Sequence, residues 1–316
     1  MVRVTAVVVA WNRRDLLREA LEALEAQTRP VDDIVVVDNA SDDDSSDVAR
    51  AASPRANVIR LERNTGGAGG FAVGIADAIG THGADLVWIM DDDTVPTETA
   101  LAELLAARQA VGSAASVYAS RVVWHDGTDH PMNTPRRDPF ASRKARARIE
   151  GLGLVPVRSA SFVSLLVDAA VVRERGLPIA DYFIWNDDFE YSTRLIRGRL
   201  GVYCPGSVVV HKTKVLGSTD ADPGPRFYYE VRNKLWLFRF SDGLTAWEKL
   251  VYGGSTVRRW MRTVRRSAEP GVLREARARG WRDGTRSAPR PNGASMADLP
   301  PAVDAITAFA SRGGRV

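Results

Sequence analysis

Apolar positions along the first 120 residues alternate between two periods. Val4–Ala10 is an unbroken apolar run of strand length, whereas Leu16, Leu17, Ala20, Leu21 and Leu24 fall on one helical face. The same reading predicts strands at Asp33–Asp38, 57–61 and 86–90, and helices at 46–52, 69–79 and 97–109, the last opening with Thr-Glu-Thr capping chemistry. Strict strand–helix alternation predicts an α/β fold, with a mostly parallel sheet flanked by helices and ligands bound at the carboxyl ends of the strands.

Those ends are polar. The first strand runs from Ala10 into Trp11-Asn12-Arg13 and the second ends at Asp38-Asn39. The third is followed by Arg63-Asn64 and the glycines 66, 67, 69 and 70, and the fourth by Asp91-Asp92-Asp93. Beyond residue 115 the pattern is irregular. Residues 125–158 hold many turn formers and predict a flexible loop or lid, residues 159–172 resume a strand and helix start, and a strand is expected at 207–211. The expected organisation is a catalytic domain over 1–225, a basic-aromatic helical extension over 226–283 and a flexible tail over 284–316, rich in Gly, Pro, Ser and Arg.

Composition narrows the class. With 45% hydrophobic and 26% charged residues the 316-residue chain is globular, neither collagenous nor wholly disordered. The single cysteine, Cys204, forbids an internal disulfide or a cysteine-rich zinc site, which suits a reducing cytoplasm. The N-terminus reads as a first strand rather than a signal peptide, and no apolar run reaches bilayer-spanning length. The net charge of +4 is uneven: residues 258–290 hold eleven Arg against Glu269, Glu275 and Asp283, which points to an anionic partner.

Consecutive carboxylates at Asp91-Asp92-Asp93 repel one another unless a cation neutralises them, and alternating oxygen ligands suit Mg²⁺ or Mn²⁺, which in turn hold a diphosphate. An isolated triplet also serves as a solvated turn and helix cap. Asp38 is a turn residue, a ribose ligand or an acceptor for a uracil imide. The 64–70 stretch lacks dinucleotide-fingerprint spacing and follows the wrong strand for a dehydrogenase; its glycines suit close backbone approach to a nucleotide or sugar. In Trp185-Asn186-Asp187-Asp188-Phe189-Glu190, the acids either favour a helix dipole or bind an acceptor. In the second case one carboxylate deprotonates a hydroxyl, the others hold its neighbours and Trp185 stacks on a sugar face. His211 is a strand-end histidine or a third metal ligand.

Together these motifs resemble the family 2 glycosyltransferases, inverting enzymes of the GT-A fold, over residues 3–240. ERNTGGAGGFAVG (62–74), WNDDFEY (185–191) and FYYEVRN (227–233) are more narrowly similar to bacterial galactofuranosyl- and rhamnosyltransferases of cell-wall assembly. The resemblance implies uracil contact by Asp38, a Mn²⁺ or Mg²⁺ site at Asp91, Asp93 and His211, and Asp188 as catalytic base. It implies donor contacts from Ala10, Trp11, Asn12, Arg13, Asp38, Arg63, Asn64, Gly67 and Asp92, and acceptor contacts from Trp185, Asp187 and Glu190. The implied reaction is one in-line displacement, with UDP-galactofuranose as first-choice donor and dTDP-rhamnose as alternative. The implied acceptor is a glycan, polyprenyl-diphosphate-linked, or else a small natural product. Trp11-Asn12 departs from the family's more frequent Thr-Tyr-Asn, and nothing matches the extra domains of polymerising members.

Rival classes are a nucleotide-sugar-binding protein without catalysis, against which Asp188 beside Asp187 and Glu190 argues, and a nucleotidyltransferase, which would release diphosphate. A nucleic-acid module is not expected, because no recognised motif accompanies the basic segment. Residues 246–282 mix aromatics with Arg and Lys, as in an interfacial helix that holds the protein on the inner face of the membrane, or as in a helix that packs on the catalytic domain; Gly253-Gly254 is expected to break it.

Overall fold

The computed structural model describes residues 2–214, 216 and 222–316. Strand β1 (Val4–Ala10) is buried at every position, so helices cover both of its faces. It pairs in parallel with β2 (Asp33–Asp38) on one side and β4 (Leu86–Asp91) on the other, and β3 (Ala56–Arg60) continues beyond β2. In register, Ala10 faces Asp38 and Val9 faces Asp91, which levels three strand exits along one edge. Helices α1 (Arg14–Glu25), α2 (Ser45–Ala52) and α3 (Gly66–Gly80) make the crossovers. α1 buries Leu17, Ala20, Leu21 and Leu24, the stripe its period predicts. α3 lies directly on β1 because Gly70 and Gly74 lack side chains: a Cβ there would meet Val9 and Val7 at 2.5 and 2.4 Å.

The second half of the sheet is mixed. β9 (Leu165–Asp168) inserts antiparallel between β4 and β6 (Ala115–Val123), and β6 pairs in parallel with β10 (Leu200–His211). β10 also pairs antiparallel with β5 (Thr94–Pro96) and with β8 (Val155–Ser159), which carries β7 (Arg136–Arg137). The β5–β10 register sets His211 opposite Thr94, and so beside Asp93. Helices α4 (Ala100–Val111), α5 (Arg143–Glu150), α6 (Ala169–Arg175) and α7 (Asp187–Ile196) complete this half.

Three expectations are corrected. Residues 125–158 are not a structureless loop: they carry β7 and α5, capped by Ser142, and bury His130 completely. The extension comprises α8 (Phe227–Phe240), α9 (Ala246–Arg266) and α10 (Pro270–Arg286), and α9 runs unbroken through Gly253-Gly254. Residues 284–316 are no loose tail. After α11 (Asn292–Ser295), helix α12 (Pro300–Ser311) places Ile306 and Phe309 in the same core as α3. α3 is apolar on all sides because it is sandwiched between the sheet and α12.

Candidate active site

Around the exit of β4 the chain separates three adjacent carboxylates. Asp91, the last residue of β4, and Asp93, in the turn that follows, come to the same side, where ligand atoms of Asp91, Asp93 and His211 all lie within 4.8 Å of one another. Asp92 turns the other way, accepting the Trp11 N–H at 2.9 Å and Arg13 Nη1 at 3.2 Å. Arg13 also reaches Asp93 at 2.5 Å. Two of the residues expected as donor contacts, Arg13 and Asp92, therefore tie the exits of β1 and β4 together, and Arg13 offsets the clustered charge. Burial pushes Asp92 up to about 7 and, with the charge of Asp93, pushes Asp91 up to about 6. Burial acts on Asp93 in the same direction, but the His211 imidazole and Arg13 outweigh it and hold that carboxyl below its ordinary range.

His211 is oriented by a residue that sequence reasoning missed. Its Nδ1 donates to Asn133 Oδ1 at 2.9 Å, which turns Nε2 to Asp93 Oδ1 at 3.1 Å. Asp93 Oδ1 is buried without a hydrogen-bond donor. Two carboxylates and one imidazole converging there are a donor set that fits a divalent cation of the Mn²⁺ or Mg²⁺ type. Asn133 lies in the segment read as a lid, and no local pattern marks it.

At the exits of β1 and β2, Trp11 is half exposed, and Asn12, in left-handed backbone, accepts the Asp42 N–H and donates its own N–H to Ser41. Asp38 is completely buried; one oxygen accepts the Ser41 N–H, and the other is held by the Ser46 hydroxyl and by Arg60 at 2.9 Å. Of these partners only Arg60 is half exposed, and it also donates to the Ser41 carbonyl at 2.8 Å. Ala10 is buried, its carbonyl taken by the Asn39 N–H. Asn64 caps α3 through the Gly66 N–H. Gly67 sits next to the Asp187 carboxylate, so the glycines serve helix packing against β1 and α7. Arg63 is not in the cleft: it turns to Asp298 and the Ser295 carbonyl and clamps the C-terminal segment.

Across from the β4 exit lies the start of α7. Phe183, Trp185 and Asn186 all adopt positive φ, a strained turn that the residues of α8 hold in place. Asn233 Nδ2 donates to the carbonyls of Tyr182, Ile184 and Trp185, and Asn186 donates to Glu230 at 2.7 Å. FYYEVRN is thus the brace of the WND turn, a role no spacing rule reveals. Asp188 borders a cleft of about 470 Å³ together with Trp185, Phe189, Arg136, Lys234 and Arg259. Burial raises Asp188, while the Phe189 N–H, Lys234 and Arg136 pull against that rise. Burial raises Asp187 further, reinforced by the charge of Asp188. Lys234 is buried over the Phe189 ring and is pushed down to about 7. Glu190 corrects an expectation: it faces the core, bound to Arg194 at 2.8 Å and to Ser241, and cannot touch an acceptor.

The model of glycosyl transferase family 2 matches residues 5–170. Galactofuranosyltransferase GlfT1 of Mycobacterium tuberculosis is 34% identical over 241 residues, covering 71% of this chain and 79% of that protein. GlfT1 of Mycolicibacterium smegmatis is 31% identical over 203 residues, covering 62% of this chain and 66% of that protein, just under two thirds of its length. Among solved structures, S. aureus TarS 1-349 in complex with UDP-GlcNAc aligns with a TM-score of 0.59 at 16% identity, over 98% of this chain and 91% of that one. GalNAc-T7 with UDP, GalNAc and Mn²⁺ aligns with a TM-score of 0.57 at 15% identity, over 94% and 57%. The exits of β1, β2 and β4 meet α7 on a GT-A sheet that the family model spans from β1 to the start of α6, and on that ground the chain belongs to glycosyl transferase family 2, as a glycosyltransferase.

Proposed function

We propose that the protein transfers a sugar, with inversion, from a nucleoside-diphosphate donor, UDP-galactofuranose first, to a hydroxyl of a lipid-linked glycan on the cytoplasmic side of a membrane. One observation carries the reading: the Asp91–Asp93–His211 cluster lies close enough to Asp187 and Asp188 for the charges of Asp91, Asp187 and Asp188 to act on one another, and Asn133, which holds His211, lines the same cleft as Asp188. The GlfT1 relatives favour the galactofuranosyl donor.

Asp91, Asp93 and His211 would hold Mn²⁺ or Mg²⁺, which when bound supplies positive charge opposite the departing diphosphate. Trp11 and Asn12 border the nucleoside, with Asp38 beneath them. Asp188 accepts the acceptor hydroxyl proton as that oxygen attacks the anomeric carbon; the bond to the diphosphate oxygen breaks on the opposite face. Trp185 stacks on the acceptor sugar, while burial and the charge of Asp188 disfavour ionisation of Asp187. Thermal shift with nucleoside diphosphates tests the donor side, since a ligand stabilises by RT ln(1 + [L]/Kd). UDP should raise the melting temperature with Mn²⁺ present and lose that effect in EDTA. A larger shift with dTDP would move the assignment to a rhamnosyl donor, and equal shifts with and without metal would overturn the metal site.

A further inference from the structure

α9 presents opposite faces to different surroundings. Inward, Arg259, Trp260 and Thr263 line the cleft that holds Asp188, and Trp260 and Val264 join the small core shared with α8 and α10. Outward, Trp247, Leu250, Val251, Val257 and Met261 are exposed at spacings of three and four residues, with Gly254 between them. Trp247 at 62% and Leu250 at 67% are the most exposed large apolar side chains described. Scattered apolar residues on a surface need no explanation, but a contiguous stripe along one helix face does.

The charges beside the stripe select its partner. Arg258 and Arg265 are exposed on the same side. Glu248, the one acid of the helix, is buried against Arg158 at 2.6 Å and contributes no negative charge to that surface. A second copy docked through this face would oppose one row of arginines to another, which disfavours self-association. Anionic lipid complements both features, with apolar side chains entering the acyl boundary and arginines meeting headgroups. No described helix is long and apolar enough to cross a membrane, so contact is confined to the interface.

We propose that the outer face of α9, centred on Trp247, Leu250 and Val257, docks the protein on an anionic bilayer. With that face on the lipid, the cleft lies about one helix diameter, roughly 10–12 Å, above the headgroups. A sugar carried on a lipid headgroup then reaches Asp188 without leaving the membrane. The proposal rests on the glycosyl-transfer reading for its purpose only, because docking needs no donor.

The test uses the full chain with vesicles of phosphatidylcholine, with and without phosphatidylglycerol. The protein should sediment with the anionic vesicles, less so as salt rises, and not with neutral ones. Leu250→Asp combined with Val257→Asp should weaken vesicle binding roughly tenfold or more while leaving the UDP-induced thermal shift unchanged. Arg258→Gln and Arg265→Gln should each weaken it roughly fivefold. Failure of the wild type to bind either vesicle, or unchanged binding by the double variant, overturns the proposal. So does a dimer, seen by analytical ultracentrifugation, that the double variant abolishes. A wild type that binds vesicles but shows no shift with any nucleoside diphosphate leaves the docking face standing and removes the donor assignment.

Discussion

Two acidic clusters lie within reach of each other's charge, and the chain resolves them differently. At the end of β4 the chain turns, and the turn sets Asp91 and Asp93 on one side and sends Asp92 to Trp11 and Arg13. At the start of α7 the backbone is helical and neighbours are about 100° apart, so Asp187 and Asp188 stay near the cleft while Glu190 turns to the core. The first cluster is offset by Arg13 and His211 in direct contact. The second relies on the helix N-terminus and on Lys234, which acts through its charge. Under the proposed function the first cluster holds a cation and the second keeps a carboxylate basic.

Substitutions can break this contrast. The largest effect is expected for Asp93→Ala, which removes the buried oxygen without a donor: turnover should fall to background, and Mn²⁺ should no longer raise the UDP-induced thermal shift. Full activity of the wild type in EDTA would contradict the role given to this cluster. Asp188→Asn should lower kcat about 10²–10⁴-fold, as loss of a general base does, with UDP binding retained. If Asp187→Asn is the inactive variant and Asp188→Asn is near normal, the two roles exchange.

Glu190→Gln separates core from cleft. It strands the Arg194 guanidinium in the interior, so we expect a stability loss of about 3–5 kcal/mol by denaturant unfolding, with kcat of the folded fraction changed little. A large kcat loss at unchanged stability would return Glu190 to the acceptor site. The smallest expected effect is a shift in pH dependence. Asp188 must be ionised to act, and burial raises it, so kcat/KM should climb with pH through a value above the ordinary carboxylate range. The Lys234 cation favours the ionised carboxylate and is itself lost as pH rises through about 7. Lys234→Met should therefore move the acid limb to higher pH. A shift to lower pH would mean that Lys234 does not act on Asp188.

Much of the site was legible locally. The register of β1 with β2 and β4 aligns the residues that strand periodicity had put at the exits, so Trp11, Asp38 and Asp91–Asp93 gather on one edge. Arg63 and Glu190 were misplaced because proximity in sequence to a site residue does not set side-chain direction; Asp298 and Arg194, their partners, decided it. Asn133 and Asn233 were missed because each acts across a long stretch of chain, on His211 and on the turn at 182–185.

The division has a physical cause. Apolar period reports what a residue does within a few positions of itself, and it marked β1 to β4, α1 to α4, the polar exits and the amphipathic stripe of α1; the capping expected of Thr-Glu-Thr is not made, since α4 starts at Ala100 with no side-chain cap. Strand pairing between distant segments leaves no such period. Only the tertiary structure inserted β9 beside β4, brought His211 to Asp93 through the β5–β10 register, and laid α12 on α3. The uniform apolarity of α3 announced that something covers it, and packing alone selected the residues once read as a tail.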